Sequence, residues 1–488
     1  MQPIDIGDFA LSPHSETLQQ ALFEAVRSRI LNGLWCNGGK LPSTRKFADA
    51  LGISRNTVIA AYDQLAAEGY IESRKGAGFF VMVNIPDRYI QMDPGLTSEM
   101  TSSLQSTNQL TQQALSSFSS LNQPFAPGIP DLKAFPYNKW QRVVQRHLTR
   151  PLLSGHSDLQ GLPSLRQALS DYLSSSRSVD CEPGRIIITS GAQQALSIAI
   201  MATLKPRQKV MIENPGYAQV RKALELSRVE LFPVTVAPYH GLRLDEVRQH
   251  HADALYITPS NQYPLGTSLN TEQRLALIEW ASQHNSWIIE DDYDSEFQFA
   301  HRPYTSLQGL ASQAGGMNRC IYIGSFSKTM FNALRIGYMV VPESLVETCL
   351  TIKDAISGDT PNHLQAALAD FIIEGDLLRH IRKTRRLYHE KYDVMVAAIN
   401  QHFGQRWEVI SQPAGLHITV RWLGGPSEQA FSIAAEEQGI IVRPLDYYEH
   451  MPEIAQSQRE WQSVVLGFGN VALDDIEPLI IKLRACFD

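Results

Sequence analysis

A lysine with phosphate-binding residue types around it follows one of the apolar runs in the C-terminal part of the sequence. In SFSKTMFNALRIGY, Lys328 stands close to Ser325 and Ser327, and Arg335 follows seven residues later. A lysine just beyond a strand end can form a Schiff base with a carbonyl compound, while hydroxyls and an arginine can bind a phosphate dianion. The alternative is a solvated loop lysine, the usual state of this residue type.

Three other segments contain side chains that can hold a pyridine ring. Asp291, in EDDYDSEF, can pair with a protonated pyridine nitrogen. Tyr293, in the same segment, and Asn261, in TPSNQYPLG, can hydrogen-bond to a phenolic oxygen. Tyr217, in ENPGY, follows a Pro-Gly turn, where its face can stack on the ring. Acid-rich caps are also common structural features, so no segment decides the chemistry alone.

A turn between a predicted strand and a helix is a further candidate for phosphate binding. Ser190-Gly191-Ala192-Gln193 follows the predicted strand over 185–189 and begins a helix. Its backbone N–H groups and the helix N-terminus can bind a phosphate. Many such turns only connect two elements, so this signal is weak in isolation.

The elements that must position these residues are predicted as alternating strands and helices. The apolar runs are RIIITSG, KVMIEN, ALYITPS, SWIIEDDY and CIYIGSFSK. Helical stretches separate them, which predicts βα units on a mainly parallel sheet. Each run ends in small or polar residues, and ligands of open α/β sheets bind beyond the carboxyl ends of the strands. We therefore expect the candidate residues at one edge of the sheet.

The first 85 residues predict a separate unit that is mainly helical. Helices are predicted over 17–31, 44–51 and 55–68. Ser43 and Ser54 are the expected N-caps of the second and third helices, and Gly52 turns the chain between them. The segment YIESRKGAGFFV then predicts two strands joined by a basic, glycine-containing turn, or a wing.

This N-terminal unit has the residue types of a DNA-binding face. The candidate DNA contacts are Ser43, Arg45, Ser54, Arg55, Asn56, Thr57, Arg74, Lys75 and Gly76. Four of them begin the third helix, the end that enters the major groove in helix-turn-helix proteins. Residues 16–85 contain eight basic and six acidic residues, so the unit is slightly basic. A protein-docking module is the alternative, and the basic wing favours DNA.

Length, composition and charge agree with a multidomain globular protein. The chain has 488 residues, 43% hydrophobic and 19% charged, which excludes disordered, collagen-like and membrane classes. Residues 86–123 are rich in Ser, Thr and Gln and are predicted to be a linker. The net charge of −7 averages a basic N-terminal unit, at about +2, and an acidic remainder.

Other classes of protein and site are disfavoured by the sequence. No apolar run has the ~20 residues of a membrane span and the N-terminus lacks the pattern of a secretory signal, so we expect a cytoplasmic protein. The five cysteines are scattered without CxxC spacing, which argues against a disulfide framework and a zinc site. We expect no metal centre.

Two parts of the sequence resemble known families. The run KLPSTRKFADALGISRNTVIAAYDQLAAEGYIESRKGAGFFV resembles the winged helix-turn-helix of GntR-type bacterial regulators, which implies operator binding, usually as a dimer. Over 124–488, the order of phosphate turn, stacking aromatic, Asn, Asp and SxSK with a following arginine resembles fold type I, class I/II aminotransferases. This second resemblance implies an α/β fold with a large and a small lobe, and pyridoxal 5'-phosphate (PLP) as cofactor.

The aminotransferase resemblance also implies a role for each candidate residue. Lys328 would be the internal-aldimine lysine and Asp291 the partner of the pyridine nitrogen. Asn261 and Tyr293 would bind the phenolic oxygen, and Tyr217 would stack on the ring. The implied phosphate cup consists of Gly191, Ala192, Ser325, Ser327 and Arg335. Lys328, Asp291 and Tyr293 are the implied catalytic residues.

The complete arrangement resembles the MocR/GabR family of bacterial regulators. It consists of a winged helix-turn-helix over 15–85, a linker over 86–123 and an aminotransferase-like domain over 124–488. The resemblance implies a head-to-tail homodimer that senses an amine or amino-acid effector, or PLP itself, through aldimine chemistry at Lys328. The alternative is a genuine PLP-dependent aminotransferase with DNA binding secondary, and a third possibility is a cofactor that only stabilises the fold.

The effector is less well defined. Class I sites bind the substrate carboxylate through an arginine of the small domain, which makes Arg443 in IIVRPLDYY the first candidate and Arg421 in HITVRW the second. GABA-responsive members of the family have an additional arginine where this chain has Gln219. An amino acid, a taurine-like compound and free PLP therefore stay open as effectors, and GABA is disfavoured.

Overall fold

The structure is a computed structural model of the whole chain. It describes residues 4, 17–32, 34–74, 77–82, 123–156, 158–299, 305–313, 319–450 and 459–487. Two compact units are present, Met1–Leu115 and Ser116–Asp488. Apart from Gln123, the predicted linker over 86–123 lies outside the described residues, so the three predicted domain boundaries stay a prediction.

The described part of the N-terminal unit is a winged helix-turn-helix, as predicted. Its elements are α1 (Leu18–Leu31), α2 (Thr44–Leu51), α3 (Arg55–Ala67), β1 (Ile71–Arg74) and β2 (Gly78–Val81). The strands are antiparallel. Ser43 and Ser54 cap α2 and α3 by accepting the backbone N–H of Lys46 and Thr57. Gly52 ends α2 with φ +65°, a conformation that glycine adopts without steric cost.

A small apolar core fixes α2 and α3 against each other. Phe47 of α2 and Val58, Tyr62 and Leu65 of α3 are fully buried. The hydroxyl of Tyr62 donates to the carbonyl oxygen of Pro42 at 3.0 Å, which ties α3 to the residue before the cap of α2. The inner face of α3 is thus used for packing, and its first turn is left at the surface.

The large lobe of the C-terminal unit contains an eight-stranded sheet. Its strands are β3 (Ile186–Thr189), β4 (Lys209–Asn214), β5 (Glu230–Ala237), β6 (Gly241–Leu242), β7 (Ala254–Ile257), β8 (Trp287–Asp292), β9 (Cys320–Ser325) and β10 (Gly337–Val340). The strand order is β3-β10-β9-β8-β7-β4-β5-β6. Only β10 and β6 are antiparallel to their neighbours. The mainly parallel sheet is confirmed, and the carboxyl ends of β3, β4, β7, β8 and β9 meet at one edge.

The small lobe contains a four-stranded antiparallel sheet. Its strands are β11 (Glu408–Val409), β12 (His417–Leu423), β13 (Arg443–Pro444) and β14 (Trp461–Gly467), in the order β11-β12-β14-β13. The described helices of the C-terminal unit are α4 (Tyr137–Leu148), α5 (Pro163–Arg177), α6 (Ala192–Thr203), α7 (Ala218–Leu226), α8 (Leu244–Gln249), α9 (Thr271–His284), α10 (Leu307–Gln313), α11 (Glu343–Ile356), α12 (Asn362–Ile373), α13 (Asp376–Phe403), α14 (Glu428–Glu437) and α15 (Ile476–Phe487).

The large lobe and the small lobe have separate apolar cores. Ile186 and Ile188 of β3 belong to the core on one face of the large sheet, and Ile187 belongs to the core on the other face. This alternation follows from the period of two in a strand. Helix α13 connects the lobes, because Leu377 packs in the large-lobe core and Met395 in the small-lobe core.

Three predicted boundaries are shifted by one residue. Helix α1 begins at Leu18 instead of 17, α3 ends at Ala67 instead of 68, and β3 begins one residue later than predicted. The strand expected over 185–189 begins at Ile186, and Arg185 ends a short 3-10 helix that starts at Pro183. The backbone N–H of Arg185 donates to the carbonyl oxygen of Glu182 at 2.9 Å. Because this N–H is used in the turn, it is not available to the sheet.

Candidate functional site

Lys328 lies three residues after β9, at the edge where the parallel strands end. Its side-chain nitrogen donates to the carbonyl oxygen of Gly128, in the segment before α4. Burial lowers the pKa of Lys328 to about 8, and the negative charges of Asp294 and Asp291 oppose this shift. A lysine with a lowered pKa is more often neutral, which is the form that attacks a carbonyl carbon.

Asp291 is the fifth of the six residues of β8 and is 3% exposed. Its Oδ2 accepts a hydrogen bond from the hydroxyl of Tyr256 at 2.8 Å, whereas Oδ1 has no partner among the residues that the structure describes. Burial raises the pKa of Asp291 to about 7, against the effect of the Tyr256 hydrogen bond. A protonated ring nitrogen at this position would supply both the missing donor and the opposite charge.

The two residues predicted for the phenolic oxygen also have unpaired polar atoms. Asn261 donates from Nδ2 to Oδ1 of Asp294 at 2.7 Å, and in the described part of the chain its own Oδ1 has no partner. The hydroxyl of Tyr293 is buried and no described residue hydrogen-bonds to it, and the ring of Tyr293 is edge-on to that of Tyr263 at 5.7 Å between centroids. Burial raises the pKa of the Tyr293 hydroxyl, and the negative charges of Asp294 and Asp291 raise it further.

Helix α6 begins beside an arginine. Gly191 is its N-cap with φ +102°, and Ala192 is its first residue. A Cβ on Gly191 would lie 3.2 Å from Nη2 of Arg335, so the missing side chain lets the guanidinium approach the helix start. The first N–H groups of a helix lack intrahelical partners, and together with a guanidinium they form an anion site.

The two serines of SFSK lie one strand away from this helix start. Gly337 of β10 pairs with Thr189 of β3 on one side and with Ser325 of β9 on the other. The backbone N–H of Ser327 donates to Oγ of Ser325 at 3.4 Å. The fold therefore brings the predicted phosphate residues to the same edge of the sheet.

Tyr217, the residue predicted to stack on the ring, lies after β4 and beside Tyr263. It follows β4, is the N-cap residue of α7 and is partly buried, with its ring edge-on to Tyr263 at 6.2 Å. Burial raises the pKa of its hydroxyl, the charge of Asp291 raises it further, and that of Arg335 lowers it. The charges of Asp291 and Arg335 both act on the Tyr217 hydroxyl, and the stacking role of Tyr217 stays a prediction.

The two candidate arginines of the small lobe have different surroundings. Arg443 begins β13, and its charge lowers the pKa of the Tyr448 hydroxyl against the larger effect of burial. That hydroxyl is 3.0 Å from the hydroxyl of Tyr263. Arg421 forms an ion pair with Glu408, with Nε and Oε2 2.7 Å apart. Arg443 is thus adjacent to the aromatic residues of the site, and Arg421 is held by a carboxylate.

The candidate DNA contacts of α2 and α3 lie close together at the surface. Arg45, Arg55 and Asn56 are exposed. Nε of Arg55 donates to Oγ1 of Thr44 at 3.4 Å, which joins the N-termini of the two helices. Thr57 donates its backbone N–H to Ser54, so these two residues also stabilise the start of α3.

The wing contributes one described candidate. The guanidinium of Arg74 lies 4.7 Å from the ring centre of Phe80, and its Nε is 3.4 Å from Oε1 of Glu72. The other two wing candidates, Lys75 and Gly76, lie outside the described residues. All of these DNA contacts stay predictions.

Known families match both units. The family "Bacterial regulatory proteins, gntR family" matches residues 18–81, and "Aminotransferase class I and II" matches residues 128–457. The chain is 34% identical to the probable rhizopine catabolism regulatory protein MocR of Rhizobium meliloti, over 96% of this chain and 94% of that protein. It is 31% identical to the HTH-type pyridoxine biosynthesis transcriptional regulator PdxR of Corynebacterium glutamicum, over 90% of each.

The chain belongs to the MocR/GabR family of transcription regulators. Its relatives are named as HTH-type transcriptional regulators, which favours a regulator over a genuine aminotransferase. A GntR-type helix-turn-helix in a MocR/GabR regulator implies DNA binding.

Solved structures confirm the fold of the C-terminal unit. The α-aminoadipate aminotransferase LysN of Thermus thermophilus matches with a TM-score of 0.68 and 22% identity, over 75% of this chain and 92% of that one. The kynurenine aminotransferase of Pyrococcus horikoshii gives the same TM-score and identity, over 77% and 93%. The fold type I architecture of this MocR/GabR member implies PLP. Among the described helices, none is long and apolar enough to cross a membrane.

Sequence reasoning missed three residues of the site. Tyr256 and Asp294 hydrogen-bond to Asp291 and Asn261, and Gly128 accepts from Lys328. Asp294 directly follows Tyr293 in EDDYDSEF, which was the available signal. Nothing local marks Gly128, because its contact joins residues 200 positions apart.

Proposed function

We propose that the chain is a PLP-dependent, DNA-binding transcription regulator whose C-terminal unit senses an amine or amino-acid effector, or PLP itself, at Lys328. The observation that carries this proposal is a pair of buried polar atoms, Asp291 Oδ1 and the Tyr293 hydroxyl, that have no partner among the described residues. Each unpaired buried polar group costs about 1–3 kcal/mol. A ligand with matching donors and acceptors would remove that cost.

PLP fits the residue types present. Asp291 would hold the ring nitrogen, Asn261 and Tyr293 the phenolic oxygen, and Tyr217 one face of the ring. The phosphate would lie among Gly191, Ala192, Ser325, Ser327 and Arg335. When bound, PLP supplies a carbonyl carbon that bonds covalently to amines and a ring that withdraws electrons from the bonded amine.

The residues of the chain would set the proton positions for this chemistry. With a pKa of about 8, Lys328 is neutral in roughly one tenth of molecules at pH 7, so a nucleophilic amine is present near neutral pH. Asp291 is poised near pH 7 and would become ionised beside a protonated ring nitrogen. Both groups therefore have their charge state set by burial in the site.

Arg443 is our candidate for the acidic group of the effector. Its charge acts on Tyr448, which contacts Tyr263 at the aromatic side of the site, whereas Arg421 is already paired with Glu408. A guanidinium binds either a carboxylate or a sulfonate through two N–H groups. The names of relatives concern rhizopine catabolism and pyridoxine biosynthesis, which agrees with leaving both amine effectors and PLP open.

A strap after the linker offers a route from the site toward the DNA-binding unit. We define it as residues 124–131. Gly128 accepts from Lys328 and from Nδ2 of Asn332, while the carbonyl oxygen of Phe125 accepts from Gly467 of the small lobe. A change in the bonding of Lys328 would therefore act on the residues that lead into the linker. A tenfold change in operator affinity needs only about 1.4 kcal/mol of coupling.

In the proposed function, the N-terminal unit would bind an operator in the cytoplasm. The proposed contacts are Ser43, Arg45, Ser54, Arg55, Asn56, Thr57, Arg74, Lys75 and Gly76. A head-to-tail homodimer would place two such units on two half-sites. Most contacts would be to phosphate, so binding should weaken steeply as salt increases.

The test compares operator binding by the full-length protein with and without PLP, for wild type, Lys328→Ala and the exposed-lysine control Lys205→Ala. Gel shift with DNA selected by the wild-type protein gives the affinity. We expect the cofactor or an amine to change the affinity of wild type and Lys205→Ala, and to have no effect on Lys328→Ala. Equal responses in all three proteins would contradict the proposal, and complete amino transfer to a keto acid in one turnover would favour an aminotransferase.

A further inference from the structure

The wing of the N-terminal unit includes a segment from outside its hairpin. Residues 38–41, which precede α2, run along β2, and the backbone N–H of Leu41 donates to the carbonyl oxygen of Phe79 at 2.9 Å. Lys40 forms an antiparallel bridge with Phe80 of the same strand. The sheet of the wing thus contains a lysine that is distant in sequence from the turn between β1 and β2.

Lys40 lies on the outer face of this sheet. Leu41 belongs to the apolar core of the N-terminal unit, and the ring of Phe79 is edge-on to that of Tyr62 in α3, at 5.0 Å between centroids. Because successive side chains of a strand point to opposite faces, Lys40 and Phe80 point away from α3. Lys40 is exposed, so its charge is available at the surface.

Two cationic side chains lie over the ring of Phe80. Nζ of Lys40 is 5.9 Å and Cζ of Arg74 is 4.7 Å from the ring centre, and both distances are within the range of a cation–π interaction. An added Cβ on Gly78 would lie 3.5 Å from Cε of Lys40, so the lysine side chain extends along β2 to this glycine. Gly78 is paired with Arg74 across the hairpin. The side chains of Lys40 and Arg74 therefore lie at the same end of the wing sheet.

The charges at this end of the wing leave one cation unpaired among the described residues. Arg74 has a partner in Glu72, with Nε and Oε1 3.4 Å apart, whereas no described carboxylate forms an ion pair with Lys40. The side chains of Arg74 and Glu72 are 39% and 44% exposed, so water screens their interaction and an incoming anion can replace it. Lys40, Arg74 and Glu72 together carry a net positive charge, which favours the binding of an anion.

We propose that Lys40 contacts a backbone phosphate of the operator duplex, beside Arg74 on the outer face of the wing. Lys40 is not among the contacts predicted from the sequence, and this inference rests on the DNA binding in the proposed function. The wing belongs to the unit that matches the GntR family, which favours duplex DNA over another polyanion. The contacts of the lysine with Phe80 and Gly78 hold its side chain in place before DNA binds, so little side-chain entropy is lost on binding.

A phosphate contact has two properties that distinguish it from a contact with a base. It carries no sequence information, so its loss weakens binding to every duplex by the same factor. It also releases counterions, and each neutralised phosphate contributes about 0.9 to the slope of log affinity against log salt concentration. Between 1 M and 0.1 M salt, this slope corresponds to a roughly eightfold contribution of Lys40 to the affinity.

The experiment measures DNA binding by the full-length protein, using fluorescence anisotropy over a series of salt concentrations. The probes are a duplex selected by the wild-type protein and an unrelated duplex of the same length. Lys40→Met keeps an unbranched apolar side chain over Phe80 and Gly78 and removes the charge. We expect this variant to bind both duplexes roughly eightfold more weakly at 0.1 M salt, with the slope against log salt concentration reduced by about 0.9.

Two further variants separate the charge of Lys40 from a structural effect. Lys40→Arg keeps the charge and should bind both duplexes with the wild-type slope. Lys205→Met is the matched control, because it removes an exposed lysine of the C-terminal unit and should leave the slope unchanged. A wild-type slope in Lys40→Met, or a loss of affinity confined to the selected duplex, would overturn the inference. Failure of the proposed function itself would be recognised separately, because the wild-type protein would then bind neither duplex.

Discussion

Replacement of Asp291 by asparagine is expected to stabilise the cofactor-free protein and to weaken its binding of PLP. Asp291 is 3% exposed, and burial raises its pKa from 3.8 to about 7. Its Oδ1 has no partner among the described residues, so the Tyr256 hydrogen bond and the charge of Lys328 compensate the buried charge only in part. Asparagine has almost the same shape, can still accept from Tyr256, and carries no charge.

The magnitude follows from the two pKa values. Between pH 4 and pH 7 the folded protein keeps a proton on Asp291 that the unfolded chain has lost, so the free energy of unfolding falls as pH rises through this window. A shift of about three pH units corresponds to about 4 kcal/mol, which is reached only above pH 7. In Asp291→Asn this fall in the free energy of unfolding is absent, because asparagine does not titrate. The variant should equal wild type near pH 4 and exceed it by up to about 4 kcal/mol at pH 8.

The effect on PLP has the opposite sign. A protonated ring nitrogen would pair with the Asp291 carboxylate, and removing one member of a buried ion pair costs about 3–5 kcal/mol. A loss of 3 kcal/mol is a roughly 150-fold weaker affinity. The same substitution therefore separates the stability of the empty site from its affinity for the cofactor.

The assay is urea unfolding of the cofactor-free, full-length protein at several pH values, combined with titration of PLP by absorbance. Glu213→Gln is a suitable control. Burial also raises the pKa of Glu213 to about 7, and its carboxyl group accepts from Thr258 at 2.6 Å. This variant should lose part of the pH dependence of stability but bind PLP like wild type. The reasoning is refuted if Asp291→Asn keeps the pH dependence of wild type, or if it binds PLP equally well.

Three other predictions concern the DNA contacts, the effector and the stability of the N-terminal unit. Arg55→Ala should weaken operator binding by about 1–3 kcal/mol in gel shift without changing PLP affinity, and a wild-type affinity would exclude Arg55 as a contact. Arg443→Ala should abolish the absorbance change caused by a carboxylate or sulfonate amine, whereas Arg421→Ala should respond like wild type; the opposite pattern would reverse their roles. Ser54→Ala should lower the unfolding free energy of the N-terminal unit by about 1 kcal/mol in thermal denaturation, because the cap of α3 is lost. An unchanged stability would show that the Ser54 cap contributes nothing.

Much of the site could be predicted because parallel strands bring distant residues to one edge. Asp291 and Lys328 follow recognisable apolar runs, and their meeting requires only that β8 and β9 run parallel. The close approach of Gly415 to Asn261, where an added Cβ on the glycine would lie 2.6 Å from Nδ2, could not be predicted. It depends on how the small lobe packs on the large lobe. The choice between Arg443 and Arg421 was also open, because the pairing of Arg421 with Glu408 depends on the register of β11 and β12 within the small lobe.

The burial of three ionisable groups in the site gives a physical reason for the proposed sensor role of the C-terminal unit. Burial holds the carboxyl groups of Asp291 and Asp294 at raised pKa values and the amine of Lys328 at a lowered one, so all three are poised to change charge when a ligand binds. A ligand that pairs with them can release several kcal/mol. In the proposed function, about 1.4 kcal/mol of coupling to DNA binding is enough for a tenfold change in operator affinity. Regulation therefore requires differential binding of the ligand to two arrangements of the chain, and it does not require turnover.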